Sequence, residues 1–304
     1  MDGIVRRLDR LQRRFKVTSF AWAVQKKFCD DRGGYLCALI SYYGFLSIFP
    51  LLLAAFTIAA YVLAGHTSAI HSVASHLQNY PVLGPAAADL QGKSLSGSPV
   101  ALVVGVVGLI FGAQGLAQAA MFATEEAWDI TSAKRPGFVD RLLRGARWYA
   151  TFGVGIVVST AISSLGSLLH WSGGPVLSSL ISVAFDAALF VILFRIVTPE
   201  HLALRYVAPG AVVAGVAWGV LTGVGVGLVP LLAHSNALYG TFAPVLAGLA
   251  FIYLMARISI LCIEANAVRE KKLWPRSLDG KNPTEADVLA RSLKAASEVP
   301  ATPK

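Results

Sequence analysis

The chain has 304 residues, 55% of them hydrophobic and only 14% charged, with a mean hydropathy of +0.62. A soluble domain carries about 25% charged residues, and the apolar residues here fall in blocks of roughly twenty or more, enough to cross a hydrocarbon core of about 30 Å. Composition therefore excludes a soluble globular protein, and the net charge of +9 is read first as membrane topology rather than as affinity for nucleic acid.

Residues 1–34 are basic. Ile4, Leu8, Leu11 and Phe15 recur at helical spacing while Arg6, Arg7, Arg10, Arg13 and Arg14 fall mostly on other faces, which predicts an amphipathic helix over 3–28. Such a helix can lie in the headgroup layer with its arginines on anionic lipid; the alternative is a basic leader packed on the protein itself. The first apolar block starts only at Tyr35 and is too long for a signal-peptide core.

Six apolar segments follow, at about 35–64, 99–120, 148–171, 176–197, 207–233 and 241–268. The first is long enough to need a tilt or kink, and Pro50 supplies a kink site. Between the first and second, Ile70, Val73 and Leu77 suggest a short helix beside His66, His71 and His76. The segment 269–304 is charged, contains Pro275, Pro283, Pro300 and Pro303, and reads as a mobile tail. The expected fold is thus all-α: a polytopic membrane bundle of six transmembrane helices with an N-terminal interfacial helix. With both termini inside, 24 of the 26 Lys and Arg residues are cytoplasmic, Lys93 alone being outside and Arg257 within a span.

Two small-residue seams stand out. Gly105, Gly108, Gly112 and Gly115 lie along the second span, and Gly215, Gly219, Gly223 and Gly227 recur every fourth residue of the fifth. Small residues let backbones approach closely where lipid offers no hydrophobic driving force. Two readings stand: fixed packing, within a protomer or between copies in a homo-oligomer, and a sliding surface.

Ionisable residues inside a membrane are costly and are candidates for function. Asp186 sits mid-way along the fourth span, Arg257 two-thirds of the way down the sixth, and Glu264 seven residues later. An Asp186–Arg257 or Arg257–Glu264 pair is expected, either as a structural lock or as part of a substrate or proton pathway. Tyr43, Ser47 and Pro50 share a face of the first span, and the free carbonyl left by Pro50 suits a kinked packing helix or a cavity wall. Gln114 and Gln118 put two amides on one face of the second.

Other chemistries find little footing. The three cysteines, Cys29, Cys37 and Cys262, form no CxxC pair, and the histidine spacing does not converge on one helix face, so no metal or cofactor is expected. Nuclease chemistry wants clustered carboxylates or histidines; the inner segments offer dispersed acids such as Asp129 and Asp140 and one histidine, His201. No hydrolase triad or phosphate loop is present. Neither catalysis nor a nucleic-acid partner is therefore expected.

The stretch ALISYYGFLSIFPLLL, residues 38–53, resembles the opening helix of the YihY/BrkB family of bacterial inner-membrane proteins, through Tyr42, Tyr43, Ser47, Phe49 and Pro50. Pro209-Gly210 with Trp218, Tyr239-Gly240, and Glu264 with Asn266 look like further family features; the family's usual Gly-Ala-Glu is here Cys262-Ile263-Glu264. The resemblance covers roughly 30–270. It implies six helices in a bacterial plasma membrane, in a family once mislabelled ribonuclease BN, whose YhjD branch is linked to lipid or lipopolysaccharide export. On that footing the chain is expected to export or transport a lipid or other amphiphile, with Tyr43, Ser47, Asp186, Arg257 and Glu264 around a cavity and Arg257 on an anionic headgroup. A non-transporting envelope scaffold is the alternative.

Overall fold

The computed structural model describes residues 9, 11–62, 99–130, 137–168, 174–198, 202–235, 243–278 and 282–298. The outer segment with His66, His71 and His76 lies outside them, as do Lys93, His170, Tyr239 and Gly240. Among the described residues all regular structure is helical: α1 (Lys16–Asp30), α2 (Gly33–Val62), α3 (Pro99–Ala127), α4 (Phe138–Leu168), α5 (Gly174–Val197), α6 (Leu204–Ser235), α7 (Ala243–Glu270) and α8 (Glu285–Glu298).

Each apolar block of the sequence became one long helix, α2 to α7. Three described stretches, Val176–Val197, Leu204–Thr222 and Val245–Glu270, are long and apolar enough to cross a membrane. Consecutive helices pack on one another from α2 to α7, and α7 returns to pack on α2, so the six close into a ring. Large apolar side chains such as Val103, Phe111, Val157, Leu180 and Val213 face outward, as expected where the surroundings are lipid.

The N-terminal segment differs from the expected single helix. The helical backbone breaks at Phe15, which is extended (φ −105°, ψ 120°), and α1 starts after it. The Thr18 hydroxyl explains the break, because it donates to the carbonyls of Gln12 and Phe15, both at 2.9 Å, and so satisfies the end of the preceding turn. Ser19, Ala23, Val24, Lys27 and Phe28 are the buried face of α1. Ala23 and Val24 join Val268, in the last turn of α7, and Leu273, just past it, with Phe20, Trp274, Ala290 and Leu293 packed around them. This face of the basic leader therefore packs on the protein itself.

The tail also differs from its composition. Residues 271–278 and α8 are folded against α1 and the end of α7. Of the charges that suggested mobility, Lys271, Arg276, Asp287 and Lys294 stand in ion pairs and Asp287 also caps α8, while Pro300 and Pro303 lie outside the described residues.

The two glycine seams explain the tightest helix pairs. A Cβ on Gly115 would lie 2.3 Å from the Tyr43 ring, one on Gly112 would lie 2.9 Å from Ser47, and one on Gly108 would lie 3.0 Å from Pro50. The second-span glycines and the Tyr43–Ser47–Pro50 face are therefore the two halves of one interface, α2 on α3. On α6, a Cβ at Gly215 would stand 2.4 Å from the Ala187 Cα of α5, where only backbone could yield. Gly105 is buried in α3; Gly223 and Gly227 belong to α6, but their surroundings lie outside the described contacts.

Two substitutions separate packing from propensity. Gly215→Ala is expected to lower the thermal midpoint and the folded yield in detergent, because α5 and α6 must separate. Gly153→Ala, at a helical position with nothing within 4 Å, is expected to raise stability by up to about 1 kcal/mol. Equal effects of the two in a melting assay would refute the seam.

Candidate functional site

Three helices end at one place. α1 ends at Asp30 with Arg32 in the left-handed region (φ 55°), α3 ends with Asp129 there (φ 50°), and α7 with Lys272 (φ 53°). The latter two ends are Schellman turns: Ile130 N donates to Glu125 O at 2.9 Å, and Leu273 N to Val268 O at 3.0 Å. Helix C-termini carry partial negative charge, and carboxylates add to it. Cations must therefore be brought to the junction.

Lys27 of α1 is the central one. Its ammonium, 4% exposed, lies 2.5 Å from Asp31 Oδ2, 3.4 Å from Asp129 Oδ1 and 3.8 Å from Glu264 Oε2. Burial alone would discharge it, but Glu264, Asp31 and Asp129 outweigh that and hold its pKa above the ordinary lysine value. Lys271 donates to the Trp128 carbonyl at 2.5 Å and to Asp129 Oδ2 at 2.8 Å. Burial dominates there, and its pKa is lowered in spite of Asp129. Lys294 of α8 donates to Asp31 Oδ1 at 3.0 Å and to Glu126. Burial opposes its charge, yet Glu126 and Asp31 raise its pKa. Glu264 is 0% exposed, and neither of its oxygens has a hydrogen-bond donor among the described residues.

A second ionic group clasps the tail to α1. Asp287 accepts from Lys26 Nζ, Arg276 Nε and the Ser277 amide, each at 2.9 Å, and from the Thr284 amide at 3.0 Å. The Thr284 Oγ1 in turn accepts from the Asp287 amide at 3.2 Å, making a capping box that starts α8. Arg276, 2% exposed, also reaches Asp30 at 2.8 Å. Although burial works against it, these donors hold the Asp287 carboxyl well below the usual carboxylate range.

Asp186 is elsewhere, within the ring. Ser178, Ser182 and Asp186 are buried at four-residue spacing along one face of α5. Ser159 of α4 donates to Asp186 Oδ1 at 2.9 Å, and a Cβ at Gly219 of α6 would lie 3.6 Å from Oδ2. The stripe is therefore a polar seam between three helices.

The expected pairs with Arg257 do not form. Arg257 is exposed, its guanidinium 5.7 Å from the centroid of the Phe28 ring, and no carboxylate pairs with it among the described residues. Helical periodicity put Arg257 and Glu264 on one face, and α1 meets both, but with Phe28 beside the exposed Arg257 and with Lys27 over the buried Glu264. Tyr43, Ser47 and Pro50 are packed on glycine, and the Ser47 hydroxyl turns back to the Gly44 carbonyl at 2.8 Å. The Gln114 amide fits against Gly145 of α4, where a Cβ would lie 2.7 Å from Oε1, and Gln118 is half-buried.

Two motifs that lay far apart in sequence meet. Asn266 accepts from the Gly210 amide at 2.9 Å and donates to the Val207 carbonyl at 2.8 Å. Pro209 interrupts the helical ladder at that turn, and the Asn266 side chain supplies a donor and an acceptor to it. A Cβ on Gly210 would stand 2.3 Å from the Cys262 carbonyl, so only glycine fits.

Sequence reasoning missed Lys27, Asp31, Lys271, Arg276, Asp287 and Lys294. The Lys27–Asp31 spacing of four and the Thr284-x-x-Asp287 pattern before a short amphipathic helix were the available signals.

Replacing Asp287 with Asn is expected to destabilise the clasp by about 3 kcal/mol at neutral pH, as for breaking a buried ion pair. A depressed carboxyl pKa contributes stability that is present above the unfolded value of about 3.9 and lost as pH falls through the folded one. The wild-type advantage, read as thermal midpoint or as protease resistance of residues 271–298, should therefore be full at pH 7 and shrink only under strong acid. An advantage that shrinks between pH 7 and pH 5 would assign the effect to another group.

Searches of curated proteins and of solved structures give no match to the chain. The family model described as virulence factor BrkB matches residues 24–287, which run from α1 through the helix-capping Asp287. With its apolar helices closed into a ring, the chain is an integral membrane protein and belongs to the BrkB family.

Proposed function

We propose that the protein is a transporter or export factor for a lipid or other amphiphile in a bacterial plasma membrane. In this reading α2 to α7 are six spans with both termini in the cytoplasm, and the junction of helix ends lies at the inner surface. Helices of 29 to 31 residues for α2, α3 and α4 give about 45 Å at 1.5 Å per residue, ample for a bilayer core. The distribution of Lys and Arg along the sequence supports the orientation. The chain is read as non-catalytic, with membrane lipids as its partners.

The observation that carries the reading is the buried Ser178–Ser182–Asp186 stripe facing Ser159 and the α6 glycines. A polar stripe within apolar helices is costly to keep, and a small-residue partner surface lets a headgroup or its counter-ion pass if the helices part. Arg257, exposed and without a carboxylate partner among the described residues, is suited to holding an anionic headgroup at the interface.

A scaffold reading has its own support in the Tyr43–Ser47–Pro50 face, which is close-packed on glycine. Purified protein in liposomes with a labelled anionic lipid separates the two. Transport predicts faster transbilayer movement than in protein-free vesicles, reduced at least tenfold by Asp186→Asn at equal folded yield and lowered by Arg257→Ala. Equal movement with and without protein would leave the scaffold.

A further inference from the structure

The junction of helix ends contains a carboxyl group that its neighbours do not satisfy. Asp31 takes an ammonium on each oxygen, Lys27 on Oδ2 and Lys294 on Oδ1. Asp129 does likewise, with Lys27 on Oδ1 and Lys271 on Oδ2. Each oxygen of both aspartates is therefore met by an ammonium. Glu264 is at least as buried, yet its nearest ammonium, Lys27, stands at 3.8 Å, outside hydrogen-bond distance, and neither oxygen receives a donor among the described residues.

An ionised carboxylate buried without a donor bears the full cost of its lost hydration. A carboxylic acid needs only one acceptor for its O–H, and the neighbouring acceptor is the Asp31 carboxylate, which shares the Lys27 ammonium with Glu264 at 2.5 Å and 3.8 Å. Two carboxyls in such contact are stable when they share a proton. The charged groups facing the pair are Lys27 of α1, Asp129 and Glu126 at the end of α3, Lys271 after α7, and Lys294 of α8.

We propose that the Asp31–Glu264 pair is a proton-binding site: Glu264 carries one exchangeable proton, donated in a hydrogen bond to Asp31. The lid over it is α1 with α8. While they are seated, water is kept from the pair; when they lift, hydration favours the Glu264 carboxylate and the proton leaves to the adjoining solvent. The site stands on the geometry alone. Its use as the coupling site for an ion gradient rests on the transport reading above.

Infrared spectra of the full-length protein in lipid nanodiscs test the site. A protonated carboxyl absorbs apart from a carboxylate, so wild type minus Glu264→Gln at pH 7 is expected to show the complete loss of one carboxylic C=O band. Glu264→Gln is the isostere of the protonated acid and should keep the wild-type melting temperature. Asp31→Asn, which changes the acceptor, should shift the same band. A band unchanged by both variants overturns the site, as does a melting temperature in Glu264→Gln that falls as far as in Lys27→Met.

The coupling arm is read in liposomes with labelled anionic lipid and an imposed pH gradient. The wild-type rate is expected to respond at least threefold to the gradient, and Glu264→Gln not at all. Equal responses overturn the coupling while leaving the proton site. Absence of movement in the wild type, with the infrared band present, overturns the transport reading and the coupling but not the site.

Discussion

Negative charge at the meeting of three helix ends is the constraint on which the rest of this molecule depends. The C-termini of α1, α3 and α7 converge with the negative ends of their dipoles, and Asp31, Asp129 and Glu264 stand among them. Ammonium groups from other elements answer that charge: Lys27 from α1, Lys271 beyond α7, Lys294 from α8. A lysine reaching in from α8 binds the tail to the bundle as a consequence. The order of the tail thus follows from electrostatics at the junction, with the Thr284–Asp287 cap setting where its helix begins.

The bundle itself is held by a different physics. Lipid gives helices no reason to associate through apolar area, so contact must come from close fit. Here the fit pairs something bulky with nothing: Tyr43 on Gly115, Pro50 on Gly108, Ala187 backbone on Gly215. Among the described residues, buried polar groups inside the ring meet specific partners. Asn266 repairs the turn that Pro209 interrupts, and Ser159 meets Asp186.

How much of this could be read from the chain follows from range. The long helices were legible because an apolar block needs no partner to declare itself. The glycine seam and the Tyr43–Ser47–Pro50 face were each legible as a pattern on one helix, while their being one interface was not, since neither pattern names its mate. The clasp was invisible for a related reason. Lys26 and Asp287 are separated by 261 positions, and the composition of the tail, charged and proline-containing, is the same whether its charges are solvated or paired. Arg257 and Glu264 show the opposite error. Their spacing of seven predicts a common face, but α1 sets a ring beside the first and an ammonium beside the second, so only Glu264 is buried.

The two kinds of contact also differ in what they allow to move. Sliding α2 against α3 would drive Tyr43 off Gly115 and open gaps that no polar or apolar partner is positioned to fill, with dispersion lost outright. Lifting α1 or α8 exchanges ammonium–carboxylate contacts for hydrated ions, a trade in which the opposing terms are large and nearly cancel. The small apolar core between α1, α8 and the end of α7 is what must then be exposed, and it comprises a few side chains such as Val24, Leu273 and Leu293. Displacement is therefore cheapest where charges meet solvent and costliest where glycine meets a ring. The device that admits water to Glu264 belongs at the clasp, and the close-packed α2–α3 pair supplies the rigid frame against which it opens.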